Sequence, residues 1–190
     1  MSKRMMFSNE IGILDLATGN YDTLYRPPGT HFVGNINLHS NTSKFVFTQS
    51  DDTNYKIFEL NIDGTGLRQV SHTPDDVDCF ERCYLPDDRI VFASTAPLQG
   101  VPCNTGVIVG MMYKMAADGQ NIRQLAFEQD HTYNPSVMPD GRILYLRWDY
   151  TDTPHVWNRV LFTMNPDGTC QSEFYGSNSY WPNSIFHARA

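Results

Sequence analysis

Four stretches of this chain are versions of one another, and that recurrence limits the available folds more than any other feature. They are GILDLATGNYDTLY from Gly12, KIFELNIDGTGLRQV from Lys56, MMYKMAADGQNIRQL from Met111 and VLFTMNPDGTCQSEF from Val160. Superimposed, they bring Gly19, Gly64, Gly119 and Gly168 into register at spacings of 45, 55 and 49 residues. Each is an apolar run, a turn and a second short run, which is the pattern of a β-hairpin. The Asp-Gly pairs at Asp63, Asp118 and Asp167 supply the positive φ that a tight hairpin turn needs.

A second anchor recurs between these hairpins. NTSKFVFTQS from Asn41, PDDRIVFAST from Pro86 and PDGRILYLRW from Pro139 align Lys44, Arg89 and Arg142, each followed by an apolar triplet ending in Phe47, Phe92 or Tyr145. This is another turn feeding another strand. A full unit is therefore four strands, A to D, with the PDGR-type turn between A and B and the xxDG turn between C and D. Four short strands in a period of about 45 residues is the arithmetic of a propeller blade. A plain β-sandwich also places strands every 8 to 12 residues or so, but two independent anchors in one order favour the propeller. Helical readings fail because the apolar runs are short, β-branched or aromatic, and broken by Gly or Pro.

The expectation is an all-β chain, a β-propeller of four-stranded antiparallel blades. It forms one propeller domain over 1–190 with approximate units 1–50, 51–95, 96–146 and 147–190. About four blades are counted, and the HARA ending lays down strand A of a further unit. That points to part of a larger ring of six to eight blades.

Charge narrows the partners. Fourteen Lys and Arg against 21 Asp and Glu give a net charge of −7, which opposes a phosphate backbone and offers no polybasic stretch to anionic lipid. Nucleic acid and membrane insertion are both disfavoured, and no run approaches the roughly 20 apolar residues of a spanning helix. Ser8, Asn9 and Glu10 interrupt any apolar core of a leader peptide, so the sequence as it stands reads as cytoplasmic. The cysteines at 79, 83, 103 and 170 form no CxxC or CxxCH motif, which excludes covalently attached haem within this chain. Cys79 and Cys83, four apart on a strand, lie about 13 Å from one another and read as small buried thiols.

The PDG turn followed by an xxDG hairpin resembles the WD40-like propeller repeats of the TolB type. More narrowly, GVPCNTG (100–106), FEQDHTYNPSVMPDGRILYLRWDYTDTPH (127–155), LFTMNPDGTC (161–170) and YGSNSYWPNSIFHAR (175–189) resemble the middle domain of hydrazine synthase alpha subunits. The resemblance implies a six-bladed propeller flanked by haem domains in an exported complex, hence a periplasmic or extracellular setting. It also implies a neighbourhood of zinc and haem.

Antiparallel strands alternate direction, so the A–B and C–D turns share one side of the sheets while the B–C and D–A connections share the other. The second side collects the long connections and with them Cys103, Asp130, His131, Tyr133, Trp148, Asp149, Asp152, His155 and Trp181. These residues are the expected ligand or partner face. Thiolate and imidazole together suit zinc, with Cys103, His131 and His155 as candidate ligands. The same residue types also cap turns, bond backbone and pack between blades. No ordering of Ser, His and Asp and no paired carboxylates suggest catalytic machinery. Three functions stay open: a non-catalytic binding or scaffold propeller that docks a partner protein or the missing domains of a larger chain; a propeller portion of an exported hydrazine-synthase-like metal or haem oxidoreductase; and a glycan-binding propeller, which requires an open ring face on Trp148 or Trp181.

Overall fold

A computed structural model describes residues 9–51, 53–102, 104–149, 158–176, 181 and 184–189. The chain divides into two compact units, Met1–Phe80 and Glu81–Ala190. Every regular element among the described residues is a β-strand.

In the first unit, β1 (Ile11–Leu14) and β2 (Tyr21–Tyr25) form a two-stranded hairpin. β3 (Val33–Leu38), β4 (Lys44–Ser50), β5 (Tyr55–Asn61) and β6 (Arg68–Gln69) follow as a four-stranded sheet in simple up-and-down order, each strand antiparallel to the next. Leu24 and Tyr25 of the hairpin pack on a core of Ile11, Val33, Phe45, Phe47 and Leu60. Glu59 in β5 holds Lys44 at 3.0 Å and Arg68 at 2.8 Å, tying the three outer strands together across their width.

The next sheet begins with β7 (Cys79–Tyr84) and continues through β8 (Ile90–Ser94), β11 (Met111–Met115) and β12 (Arg123–Gln124). Between β8 and β11 the chain makes a small excursion, with β9 (Gly100–Val101) against β10 (Asn104–Ile108). The last sheet is β13 (Thr132–Val137), β14 (Ile143–Trp148), β15 (Arg159–Met164) and β16 (Ser172–Tyr175). In the second unit the two sheets meet across a core of Cys83, Val91, Met112, Leu125, Ile143, Tyr145 and Met164. Both anchor glycines and anchor aromatics sit where the repeat puts them: Phe47, Phe92 and Tyr145 are wholly buried. Cys79 and Cys83 are buried free thiols, and burial pushes Cys83 up to about 12.

The turns repeat atom for atom. Gly64, Gly119 and Gly168 have φ of 82°, 84° and 88°, and their N–H groups donate to the carbonyls of Asn61, Ala116 and Asn165 at 3.0, 2.9 and 2.9 Å. The preceding Asp accepts from the backbone two residues on: Asp63 from Thr65, Asp118 from Gln120, Asp167 from Thr169. At the A–B turns the left-handed position is held by Thr42, Asp88 and Gly141, with N–H groups donating to His39, Leu85 and Met138. The two glycines of the last sheet are not equivalent, however. A Cβ on Gly141 would meet nothing within 4 Å, whereas one on Gly168 would lie 2.9 Å from the carbonyl oxygen of Leu125, in the connection leaving β12.

Lys56 shows how a long connection is fixed. Its ammonium, buried beneath the connection after β6, donates to the carbonyls of Thr73, Pro74 and Val77 at 3.1, 2.8 and 3.0 Å and approaches the Thr73 hydroxyl at 3.0 Å. Charge-assisted bonds of this kind are the strong ones.

Two outcomes are expected from chemical denaturation. Gly141→Ala should cost about 1 kcal/mol, the price of a left-handed Cβ alone, and Gly168→Ala at least about 2 kcal/mol because the Leu125 backbone must also yield. Lys56→Met, which keeps the stem and deletes the donors, should cost about 2–3 kcal/mol.

Candidate functional site

The long-connection side of the second unit carries a cluster built from three neighbouring strand ends. His131 immediately precedes β13, Tyr133 is the second residue of β13, Trp148 ends β14, and Arg159 opens β15 directly opposite Trp148. The segment 184–189 runs alongside: Ser184 bridges Arg159 in parallel, and the Ile185 N–H donates to the Arg159 carbonyl at 3.1 Å.

The side chains interlock. The Gly110 N–H donates to His131 Nδ1 at 2.8 Å, which places the imidazole proton on Nε2. The His131 ring stacks on Trp148 with centroids 5.6 Å apart and planes 12° apart, and meets Tyr133 edge-on at 5.7 Å. The Arg159 guanidinium lies 4.7 Å above the Trp148 ring and 5.7 Å from the Phe186 ring, and its Nε donates to the Tyr133 hydroxyl at 3.1 Å. Burial, reinforced by the Arg159 charge, lowers His131 to about 4. Burial likewise raises Tyr133. At neutral pH the cluster is thus a neutral imidazole and a phenol around one fixed cation.

Of the expected face residues, His131, Tyr133 and Trp148 are brought together. Asp130 is buried beside them in sequence. Asp149 is half-buried, its N–H donating to the Asn158 carbonyl at 2.9 Å, so the RWDYTDTPHVW connection leaves and returns at one point. Trp181 is 80% exposed. Cys103, Asp152 and His155 lie outside the described residues. Of the three candidate zinc ligands only His131 is therefore described; its Nδ1 accepts from Gly110, which leaves the proton on Nε2, so neither ring nitrogen presents a lone pair to a metal in this arrangement. Among the described residues no group of three or more His, Cys, Asp and Glu side chains is placed to hold a metal ion.

Three features were not read from the sequence. Arg159 is the hub of the cluster, and its only signal was its place as the first residue of a strand C. A cleft of about 300 Å³ opens on the opposite, tight-turn side, between Leu85, Pro86, Arg89, Arg142 and Pro166. Its guanidinium groups are tied to the carboxylates of Asp87 and Asp140 within their own turns, at 2.7 and 2.8 Å. Lastly, strand A carries a left-handed residue in its third position at Asn35, Glu81 and Asn134, with φ of 54°, 43° and 53°, and His187 in the segment 184–189 has a φ of 53°. The readable signal was an aromatic-polar pair at Phe80-Glu81, Tyr133-Asn134 and Phe186-His187. At Gly34-Asn35 the aromatic has moved, and the Phe32 ring lies 2.7 Å from where a Gly34 side chain would start.

The depressed His131 value has a defined sign. The folded protein favours the neutral ring, so its contribution is complete above 6.5 and is lost as the pH falls from 6.5 toward 4, amounting to about 3 kcal/mol. Denaturation midpoints measured across that interval should fall in the parent protein and fall less in His131→Gln.

No protein-family model matches the chain, and no curated protein matches it in sequence. Solved structures do. Hydrazine synthase from Kuenenia stuttgartiensis superimposes with a TM-score of 0.73 at 17% identity, over 86% of this chain and 28% of that one. A TolB from Agrobacterium tumefaciens gives 0.64 at 16%, over 83% of this chain and 53% of that one. An oligogalacturonate lyase in complex with manganese gives 0.61 at 15%, over 86% and 47%. The chain thus spans between about a quarter and a half of the structures it resembles. At these identities the likeness concerns fold alone, and the fold is a β-propeller built of four-stranded antiparallel blades.

Proposed function

We propose that this chain is a non-catalytic binding or scaffold propeller that docks a partner protein or domain through the long-connection side of its blades. The observation that carries this reading is the exposure of Phe127 and Trp181, at 77% and 80%. Both lie on D–A connections of the second unit, and no aromatic side chain among the described residues is more exposed. Leu98, Val107 and Ile108, on the excursion between β8 and β11, add exposed aliphatic surface on the same side. Apolar surface of this kind, and aromatics in particular, is enriched where proteins meet. The His131, Trp148 and Arg159 cluster fixes neighbouring strand ends on the same side.

The resembling structures are longer chains of which the matched blades are a part. That supports a module working beside other domains, and an exported setting, periplasmic or extracellular, belongs to the same reading. A glycan is the second reading, favoured by the exposure of Trp181; Trp148, covered by His131, does not suit it.

Photo-reactive residues placed at Phe127 and Trp181, with Ile122 on the tight-turn side as an exposed apolar control, test the proposal in cells producing the protein. Discrete protein adducts at Phe127 and Trp181 but not Ile122 are expected. Adducts spread equally over all three, or saturable binding of oligosaccharides abolished by Trp181→Ala without any protein adduct, would overturn it.

A further inference from the structure

The left-handed residues of strand A obey one rule within the second unit. A left-handed residue interrupts the ladder, and in β13 the pairing with β14 shifts register between Tyr133 and Ser136. The N–H set free at Asn134 donates to Glu81 Oε2 at 2.8 Å. At the next step the His187 N–H donates to Asn134 Oδ1 at 3.3 Å, and the Asn134 amide nitrogen sits 3.2 Å from His187 Nδ1. A side-chain oxygen at one left-handed position thus accepts the backbone N–H of the next, 53 residues further along in both cases (134 − 81 and 187 − 134).

Asn tolerates φ > 0 well; Glu is a poor choice there. A non-glycine residue in this region costs energy and persists where the surroundings enforce it, often at sites that switch. Of the two acceptors in the relay, only Glu81 can gain or lose a proton. The groups that face it are Asn134 and Tyr133 from β13, His187 from the segment 184–189, and Arg82 from its own strand. Arg189 acts one step removed, on Arg82.

We propose that Glu81 makes the joint between β7 and β13 proton-sensitive, so that this step of the relay opens more readily as the pH rises. Burial is the largest influence on the Glu81 carboxyl and raises it above the ordinary 4.5, outweighing the Asn134 bonds and the attraction of His187 and Arg82. The closed joint therefore holds the proton more tightly than the opened one, in which Glu81 is solvated. Opening therefore becomes easier as the pH rises from 4.5 toward the closed-state value and levels off beyond it. His131 has the opposite sign, its contribution being lost as the pH falls. A global melting curve mixes the two, and a local probe separates them.

That probe is hydrogen exchange at the Asn134 amide in the whole chain, corrected for intrinsic rates, from pH 4.5 to 8. Protection should fall as the pH rises from 4.5 and then level off. In Glu81→Gln, which keeps an acceptor oxygen but cannot ionise, the fall should vanish. In His187→Asn, which keeps a residue suited to φ > 0, it should persist. A flat profile in the parent protein overturns the proposal, as does a fall that survives Glu81→Gln or disappears in His187→Asn. Should Glu81→Gln not fold, the parent profile set against His187→Asn still decides.

Discussion

A sheet of four short strands has two faces and too few residues to hide either by itself, and everything else in this structure answers to that constraint. β8 and β11 are buried along their whole length, and β14 almost so. Strands buried on both faces read as continuous apolar runs, and Ile90-Val91-Phe92 and Ile143-Leu144-Tyr145 are such runs. The outermost strand escapes the constraint: all four residues of β16 are exposed. Covering is done by neighbouring hairpins and sheets, and the turn glycines take part. A Cβ on Gly64 would come within 3.4 Å of Leu24, and one on Gly168 within 2.9 Å of Leu125. The glycine that lets a hairpin turn also lets it lie close to the hairpin before it.

Burial on this scale leaves few places for polar groups, and those present are handled in three distinct ways. Lys56 gathers carbonyl oxygens around its amino group. His131 sheds its charge, accepts an N–H and stacks on an indole. Glu81 is driven toward its neutral form while still accepting an N–H from the next sheet. The first is a fixed strut. The other two respond to pH in opposite directions, and the difference arises because burial penalises charge whichever form carries it.

Much of this was legible in the sequence, and for a definite reason. The A–B and C–D turns depend on residues whose backbone chemistry is local, Asp-Gly at 63, 118 and 167 and the Lys or Arg that follows each A–B turn, so their spacing survives in the linear text. The buried anchors Phe47, Phe92 and Tyr145 were found the same way. What was not legible is what depends on contacts across sheets. Arg159 is one charged residue among many until Trp148, Tyr133 and Phe186 are placed around it. Glu81 is likewise ordinary until Asn134 presents an N–H to it. The aromatic-polar pairs of strand A were present as a third repeat, but a single pair of residues recurring at 53-residue intervals is too short to stand out before the bulge shows its purpose.

The division between the two sides of the sheets follows from the same physics. The tight turns are constrained by their own hydrogen bonds and by packing on the preceding hairpin, and they hardly vary. The opposite connections are held at particular points, the one after β6 by Lys56 and those between strands B and C near their ends. Between strands B and C they run from residues 51–54 in one sheet to 95–110 and 149–158 in the next two, while the sheets stay alike. Length can grow there without touching the core as long as the end points are pinned, and they are: Asp149 to Asn158, and Gln99 to Val109 and Gln129. Exposed side chains such as Phe127 and Trp181 can therefore change without cost to the blades, whereas Glu81, Asn134 and His187 cannot, since each is a link to its neighbour.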